Sequence, residues 1–226
     1  MGNAEIIAKG VYLIGGPNIS RSDDATVFII DFGGELVMID AGAGRSSRIL
    51  ERNIRDEGLD PNAISTLILT HCHIDHIGSA PYFRDSFGCR LLIHDLDADA
   101  VETGDPVRTA ANWYETSFPP TRIDHRIRGD HEILTFGKEE LHCLHTPGHT
   151  PGSIAVYLDR DGERILFGQD IHGPFMSSFG SNIEHWKASM HRLLDLRADI
   201  LCEGHFGIFR PAERAEQYIR KYLRQY

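Results

Sequence analysis

The 226-residue sequence predicts an α+β protein in which two β-sheets pack face to face with helices outside. Two observations carry that expectation. Runs of strands, then helix, then strands recur in two similar halves, the arrangement that lets each sheet bury one face on the other and one under helices. The halves also echo each other faintly. Leu67-Ile68-Leu69-Thr70-His71 and Ile165-Leu166-Phe167-Gly168-Gln169-Asp170 are both apolar strands that end in a potential metal ligand.

Residues 4–15 alternate loosely and read as a first strand, closed by Gly15-Gly16-Pro17-Asn18 as a turn. Ala25-Thr26-Val27-Phe28-Ile29-Ile30 is a second strand, joined through Gly33-Gly34 to Glu35-Leu36-Val37-Met38-Ile39-Asp40. Asp40-Ala41-Gly42-Ala43-Gly44 is a flexible loop. Ser46 is placed to cap a helix over 47–57, which Gly58 closes and Pro61 blocks from continuing. A buried strand over 64–70 leads to a ligand-rich stretch, a short helix near 77–87, and the strand Arg90-Leu91-Leu92-Ile93-His94.

Residues 95–125 change texture, being acidic, aromatic and interrupted by proline. One or two helices and a loop are expected there, either as a lid over the active site or as a surface excursion with an ordinary packing face. The second half returns to strands over 131–136, 139–145, 153–158 and 163–168, with Asp161-Gly162 a strong hairpin turn. A helix over 183–195 carries Ile183, Trp186, Met190, Leu193 and Leu194 on one face, which is core packing. A last strand, Asp199-Ile200-Leu201-Cys202, precedes a loop and a C-terminal helix over 211–225.

With 41% hydrophobic and 25% charged residues the chain is of ordinary globular composition, read as a single domain over 1–226. It contains no 18-residue apolar run, so no transmembrane helix is expected. Met1-Gly2-Asn3 opens neither a signal peptide nor a myristoylation signal, and a cytoplasmic location is expected. Four cysteines without a CxxC pair are expected to be free and buried. A net charge of −10 argues against a nucleic-acid surface. The expected partner is a small-molecule substrate, with no nucleic acid and no membrane. The oligomeric state is open, a homodimer included.

The chemistry begins at His71-Cys72-His73-Ile74-Asp75-His76, where four potential ligands fall within six residues behind an apolar strand. Along an extended chain His71 and His73 project to the same side, and Cys72 away from them. Asp75 and His76 come where the chain turns into a helix and aim at a neighbouring point. That spacing suits two metal positions side by side. Three further candidates end strands in glycine-bearing loops: His149 in Thr146-Pro147-Gly148-His149-Thr150-Pro151-Gly152, Asp170, and His205 in Glu203-Gly204-His205-Phe206-Gly207. His172, two residues from Asp170, either reaches the pocket or packs. Phe175, Met176 and Phe179 line either an apolar part of the substrate pocket or the core. The remaining histidines read as solvated or packing residues.

Asp40, His71-x-His73-x-Asp75-His76, His149, Asp170 and His205, in that order over nearly the whole chain, resemble the metallo-β-lactamase superfamily, whose fold is a four-layer αββα sandwich. The resemblance implies that His71, His73 and His149 hold one metal, that Asp75, His76 and His205 hold a second, and that Asp170 bridges them. It implies that Asp40 orients ligand histidines, the other reading being an acid that caps or turns a loop. The bridging Asp170 is absent from the superfamily's true β-lactamases and resembles the seven-ligand glyoxalase II-like branch, which hydrolyses thioesters. Glyoxalase II carries a helical glutathione-binding domain, and 21 residues follow His205 here.

Imidazole and carboxylate ligands suit two Zn²⁺ ions, or iron or manganese. Two such ions can hold a shared water as hydroxide near neutral pH, and Asp75 is placed to move a proton. A dinuclear hydrolase acting on a thioester or lactone-type carbonyl is therefore expected. The alternatives are a mononuclear iron persulfide dioxygenase, whose Arg-Thr-Asp is replaced here by Gly168-Gln169-Asp170; a phosphodiesterase; and a metal-stabilised binding domain without catalysis.

Overall fold

The computed structural model describes residues 4–226, so what was expected of Met1-Gly2-Asn3 lies outside the described residues. The chain divides into two compact units, Met1–Arg126 and Ile127–Tyr226. No helix among the described residues is long and apolar enough to cross a membrane.

The first unit comprises β1 (Glu5–Ala8), β2 (Val11–Gly15), β3 (Val27–Asp31), β4 (Leu36–Ile39), α1 (Ser47–Asp56), β5 (Ile64–Ile68), α2 (Ile74–Ile77), α3 (Ala80–Phe87), β6 (Arg90–His94), α4 (Asp95–Thr103) and all but the last residue of β7 (His125–Ile127). These strands form one sheet in sequential order. The stretch expected as one strand over 4–15 is a hairpin, because Gly10 takes φ 67° and turns the chain between Ala8 and Val11. Alternate residues explain the burial. Val27, Ile29, Met38, Leu67 and Leu91 pack with Leu50 and Ile54 of α1, Phe83 of α3 and Val101 of α4, while Phe28, Ile30, Val37, Ile39 and Ile68 on the opposite face are buried as well. Each fully buried side chain of this kind contributes about 1.5–3 kcal/mol. Ser46 does stand at the start of α1, yet its hydroxyl does not cap the helix. It donates to Asp24 Oδ1 at 2.9 Å, and Asp24 also accepts from the Ala43 N–H, which ties down the loop after β4.

The 95–125 stretch resolves into α4, a 3-10 turn over Ala111–Tyr114 and extended chain. Ala98, Val101, Ala111, Phe118 and Ile123 belong to the unit's core, so the ordinary packing face is present; Leu96, Val107 and Trp113 are exposed.

The second unit comprises β8 (His131–Phe136), β9 (Glu139–His145), β10 (Ile154–Arg160), β11 (Glu163–Gln169), α5 (Ile183–Asp195), β12 (Ile200–Glu203), β13 (Gly207–Phe209) and α6 (Ala212–Gln225), with sheet order β13-β12-β11-β10-β9-β8. The Asp161-Gly162 turn has positive φ at both residues, 52° and 85°, as a tight hairpin with right-handed strands requires. Trp186, Met190 and Leu193 of α5 and Ala215, Tyr218, Ile219 and Tyr222 of α6 bury together on Leu144, Ala155, Leu166 and Leu201. The strands β7 and β13, three residues each, fall where the sequence predicts no strand.

The two sheets share one device. β4 and β5 run parallel with Ile39 beside Ile68, so Asp40 and Thr70 emerge at one edge. β11 and β12 run parallel with Gln169 beside Glu203, so Asp170 and His205 emerge at one edge, and β9, which leads to His149, points the same way. Each unit therefore delivers its candidate ligands from the carboxyl ends of co-directional strands.

Candidate metal centre

In the first unit, His71, His73, Asp75 and His76 are all buried. β5 ends at Ile68, so the ligand stretch lies beyond the strand, with His71 in a bend and His73 in extended backbone (φ −72°, ψ 145°) at the start of α2. Their rings still meet edge to face with centroids 4.6 Å apart, and the His71 and His76 rings are 4.1 Å apart. Asp75 and His76 belong to the single turn of α2, as expected of a chain bending into helix, and Asp75 Oδ2 lies 3.8 Å from His76 Nε2.

Asp40 organises these imidazoles from behind. It is fully buried and held at φ 57°, a conformation that costs a non-glycine residue about 1–2 kcal/mol per residue. Oδ1 accepts the Thr70 N–H at 2.8 Å, and Oδ2 accepts the Thr70 hydroxyl and the His76 Nδ1–H, both at 2.7 Å. Burial pushes its carboxyl above the usual range, opposed by His76 and by the Thr70 hydrogen bonds. With the Thr70 hydroxyl donated to Asp40, its oxygen is left to accept from His71 Nδ1, 3.3 Å away. Both imidazoles then carry the proton on Nδ1 and present the Nε2 lone pair, the form in which histidine binds a metal.

The ligand loop is also fixed by groups that sequence reading missed. The Cys72 N–H donates to the buried Asp97 Oδ2 at 3.1 Å, its thiol donates to the Arg108 carbonyl at 3.2 Å, and the Ile74 N–H donates to the Thr109 carbonyl at 2.7 Å. Cys72 is thus anchored on the 95–125 excursion, and burial, then the Asp97 charge, push its thiol well up. Nothing local to Asp97 marks it, because its partner is 25 residues away. The four cysteines are free and buried.

In the second unit His149, Asp170 and His205 come together. Asp170 Oδ2 lies 3.4 Å from His149 Nε2, and Oδ1 lies 3.3 Å from His205 Nε2. His149 Nδ1–H donates to the Pro174 carbonyl at 2.9 Å, so its Nε2 faces Asp170 with a lone pair when the ring is neutral. Acceptors converging at that distance repel unless a cation lies among them, and neutral imidazole plus carboxylate is the donor set divalent metals take. The residues therefore fit a metal. Gly204 permits the approach, since a Cβ there would lie 2.4 Å from Asp170 Oδ1.

Glu203 plays the part that Asp40 plays in the first unit. It is fully buried at the end of β12; Oε2 accepts the His205 and Phe206 N–H groups at 2.8 and 2.9 Å, and Oε1 accepts the His172 Nδ1–H at 2.9 Å. An acid closing the apolar run Ile200-Leu201-Cys202 was the available signal. His172 is consequently oriented beside Asp170 and His205, and one ligand atom from each of the three lies within 4.8 Å of the others. Phe175 joins the Trp186 and Tyr226 rings at 5.1 and 4.8 Å, and Phe179 is buried 6.5 Å from the His149 ring, while Met176 is partly exposed. Among the other histidines, His94 caps α4 by accepting the Leu96 N–H, His145 bonds the Pro151 carbonyl, and His131 and His142 stack on Tyr157.

Residues 22–205 match the family described as the metallo-beta-lactamase superfamily. Among curated relatives, the probable metallo-hydrolase YqgX of Bacillus subtilis is 32% identical over 72% of this chain and 76% of its own length. Acyl-coenzyme A thioesterase MBLAC2 of Gallus gallus is 25% identical over 96% of this chain and 84% of its own. Among solved structures, the FEZ-1 metallo-beta-lactamase from Legionella gormanii superposes with a TM-score of 0.82 at 18% identity, covering 99% of this chain and 94% of that one. GOB-18 from Elizabethkingia meningoseptica gives 0.81 at 20% identity, over 99% and 89%. At those identities the structures establish the fold alone, and the expected metallo-β-lactamase-type α+β fold is borne out.

Proposed function

From the premise that this chain belongs to the metallo-β-lactamase superfamily and is a metal-dependent hydrolase, we propose that it hydrolyses thioesters at a dinuclear, glyoxalase II-like centre with zinc in both positions. His71, His73 and His149 are assigned to one ion, Asp75, His76 and His205 to the other, and Asp170 to both. The observation that carries this reading is Asp170, whose two oxygens are turned to two different imidazoles, His149 and His205. With one oxygen toward each imidazole, the carboxylate would be placed to help hold an ion beside either one. The acyl-coenzyme A thioesterases, similar over almost the entire chain, support a thioester as the carbonyl attacked.

Divalent ions supply a lowered pKa for water and polarise a carbonyl oxygen. The chain's own residues do the rest. Asp40 holds His76, and through Thr70 His71, with Nε2 free of its proton. Glu203 fixes the backbone that presents His205, and Pro174 fixes the His149 tautomer. Asp75, with one oxygen toward His76, is assigned to take a proton from the attacking water and return it to the leaving thiolate. A small, soluble thioester handled in the cytoplasm, without nucleic acid or membrane, completes the proposal.

The test is turnover of a thioester panel, with lactones and phosphodiesters alongside, by His73→Ala and Asp170→Asn proteins of unchanged circular dichroism. Both variants are expected to lose activity. Unchanged turnover in either would sink the mechanism.

A further inference from the structure

We propose that the cleft between α6 and the β12–β13 loop binds the 3′-phosphoadenosine diphosphate end of coenzyme A, so that the thioester's carrier is recognised as well as its carbonyl. This rests on the thioester reading above and adds a binding site to it.

The cleft, about 520 Å³, is lined by Phe206, Phe209, Arg214, Gln217, Tyr218, Lys221 and Tyr222. Its charge is the first argument. The lining holds two cations and no carboxylate, in a chain whose net charge is −10. Elsewhere on the same helix Arg220 is paired with Glu216 at 2.6 Å, whereas no carboxylate pairs with Arg214 or Lys221 among the described residues. Arg214, Gln217 and Lys221 follow one another at helical spacing and all are exposed, so they stand on one face of α6. Glu203, whose charge acts on the lining residue Tyr218, is committed to His172 and to the His205 and Phe206 N–H groups. Two unpaired cations on one face direct a ligand's anionic groups there, and a guanidinium suits phosphate in particular.

The lining is also aromatic. Phe206 is 59% exposed, an unusual state for a phenylalanine, and it lines the cleft, with its ring meeting that of His172 at 88° and centroids 4.8 Å apart. Tyr218 and Phe209 pack at 4.0 Å beneath, and Lys221 Nζ stands 5.0 Å from the Tyr222 centroid. Such a platform accepts a stacked base, worth about 1–3 kcal/mol by alanine substitution. Phosphates plus a purine make a nucleotide, and the nucleotide-bearing thioester carrier is coenzyme A. Position agrees, because Phe206 directly follows the candidate ligand His205. A long, flexible arm between nucleotide and thioester lets one molecule serve both places.

The experiment has two arms on the full chain. In the first, 3′,5′-ADP, adenosine and inorganic phosphate are titrated separately by calorimetry into wild type and into Arg214→Gln/Lys221→Gln. Wild type is expected to bind 3′,5′-ADP, and the variant to bind it at least tenfold more weakly. Failure to bind 3′,5′-ADP, or equal affinity for phosphate alone, overturns the proposal. In the second, kcat/KM is compared for an acyl-coenzyme A and for the N-acetylcysteamine thioester of the same acyl group. The double variant should lower the ratio of the two at least tenfold, through KM for the coenzyme A ester. An unchanged ratio overturns the site even if both esters are hydrolysed. If neither ester is hydrolysed the thioester reading falls, and the nucleotide titration still decides whether the cleft binds its ligand.

Discussion

Asp40→Asn separates the work of a buried charge from that of its shape. The carboxylate accepts three hydrogen bonds and donates none, from the Thr70 N–H at 2.8 Å and from the Thr70 hydroxyl and His76 Nδ1–H at 2.7 Å. An amide has one accepting oxygen. If that oxygen takes the Oδ2 position, the NH₂ faces the Thr70 N–H, and two buried donors oppose each other at a cost of about 1–3 kcal/mol. If the NH₂ takes that position, it donates to His76 Nδ1. The His76 proton then moves to Nε2, where a ligand needs a lone pair. Burial already disfavours the charge, so removing it recovers part of the lost stability. Stability and metal affinity should therefore part company. We expect a urea midpoint equivalent to a loss of at most about 1–3 kcal/mol, with metal affinity about 10–100-fold weaker. Competition against a chromophoric zinc chelator measures the second quantity. Wild-type metal affinity in this variant would refute the claim that Asp40 sets the histidine tautomers.

Three other outcomes follow from the same contacts. Gly204→Ala sets a Cβ 2.4 Å from Asp170 Oδ1, so that oxygen must retreat by about 1 Å. A displacement of that size costs about 100-fold in turnover, and a steady-state assay showing less than a twofold loss would contradict it. Glu203→Gln leaves one accepting oxygen for the His172 Nδ1–H and the His205 and Phe206 N–H groups, which now need two. Stability should fall by about 1–3 kcal/mol in chemical denaturation, together with metal affinity, whereas a change in neither would remove Glu203 from the account. Chelation should lower Tm reversibly. An ion at a thousandfold excess over its Kd contributes about 4 kcal/mol, or roughly 8–16 °C in a chain of this size, and readdition of zinc should restore the melting curve.

Most of the strand and helix pattern was legible because it depends on local rules. The Asp161-Gly162 turn, the α5 core face and the end of α1 at Gly58 are set by residues within a few positions of one another. The exceptions are short or glycine-dependent. Gly10 breaks the first strand by adopting φ 67°, and β7 and β13 are too short to show a period. The candidate ligands were legible for a different reason, since histidine and aspartate at strand ends are rarely needed for packing. Their supports were not. Asp97 reaches the Cys72 N–H across 25 residues, and Ser46 gives its hydroxyl to Asp24, 22 residues away, instead of to its own helix. Glu203 opens the Glu203-Gly204-His205-Phe206-Gly207 stretch, yet its role depends on which N–H groups the parallel β11–β12 pair brings to it. Partners set by tertiary register cannot be read from spacing.

The most direct test of the account is metal analysis of the protein as isolated, run with thioester turnover on the same sample. Two equivalents of zinc per chain and hydrolysis of a thioester, both lost together on chelation, are the predicted result. One equivalent of iron, with oxygen uptake in the presence of a persulfide and no thioester hydrolysis, would contradict it.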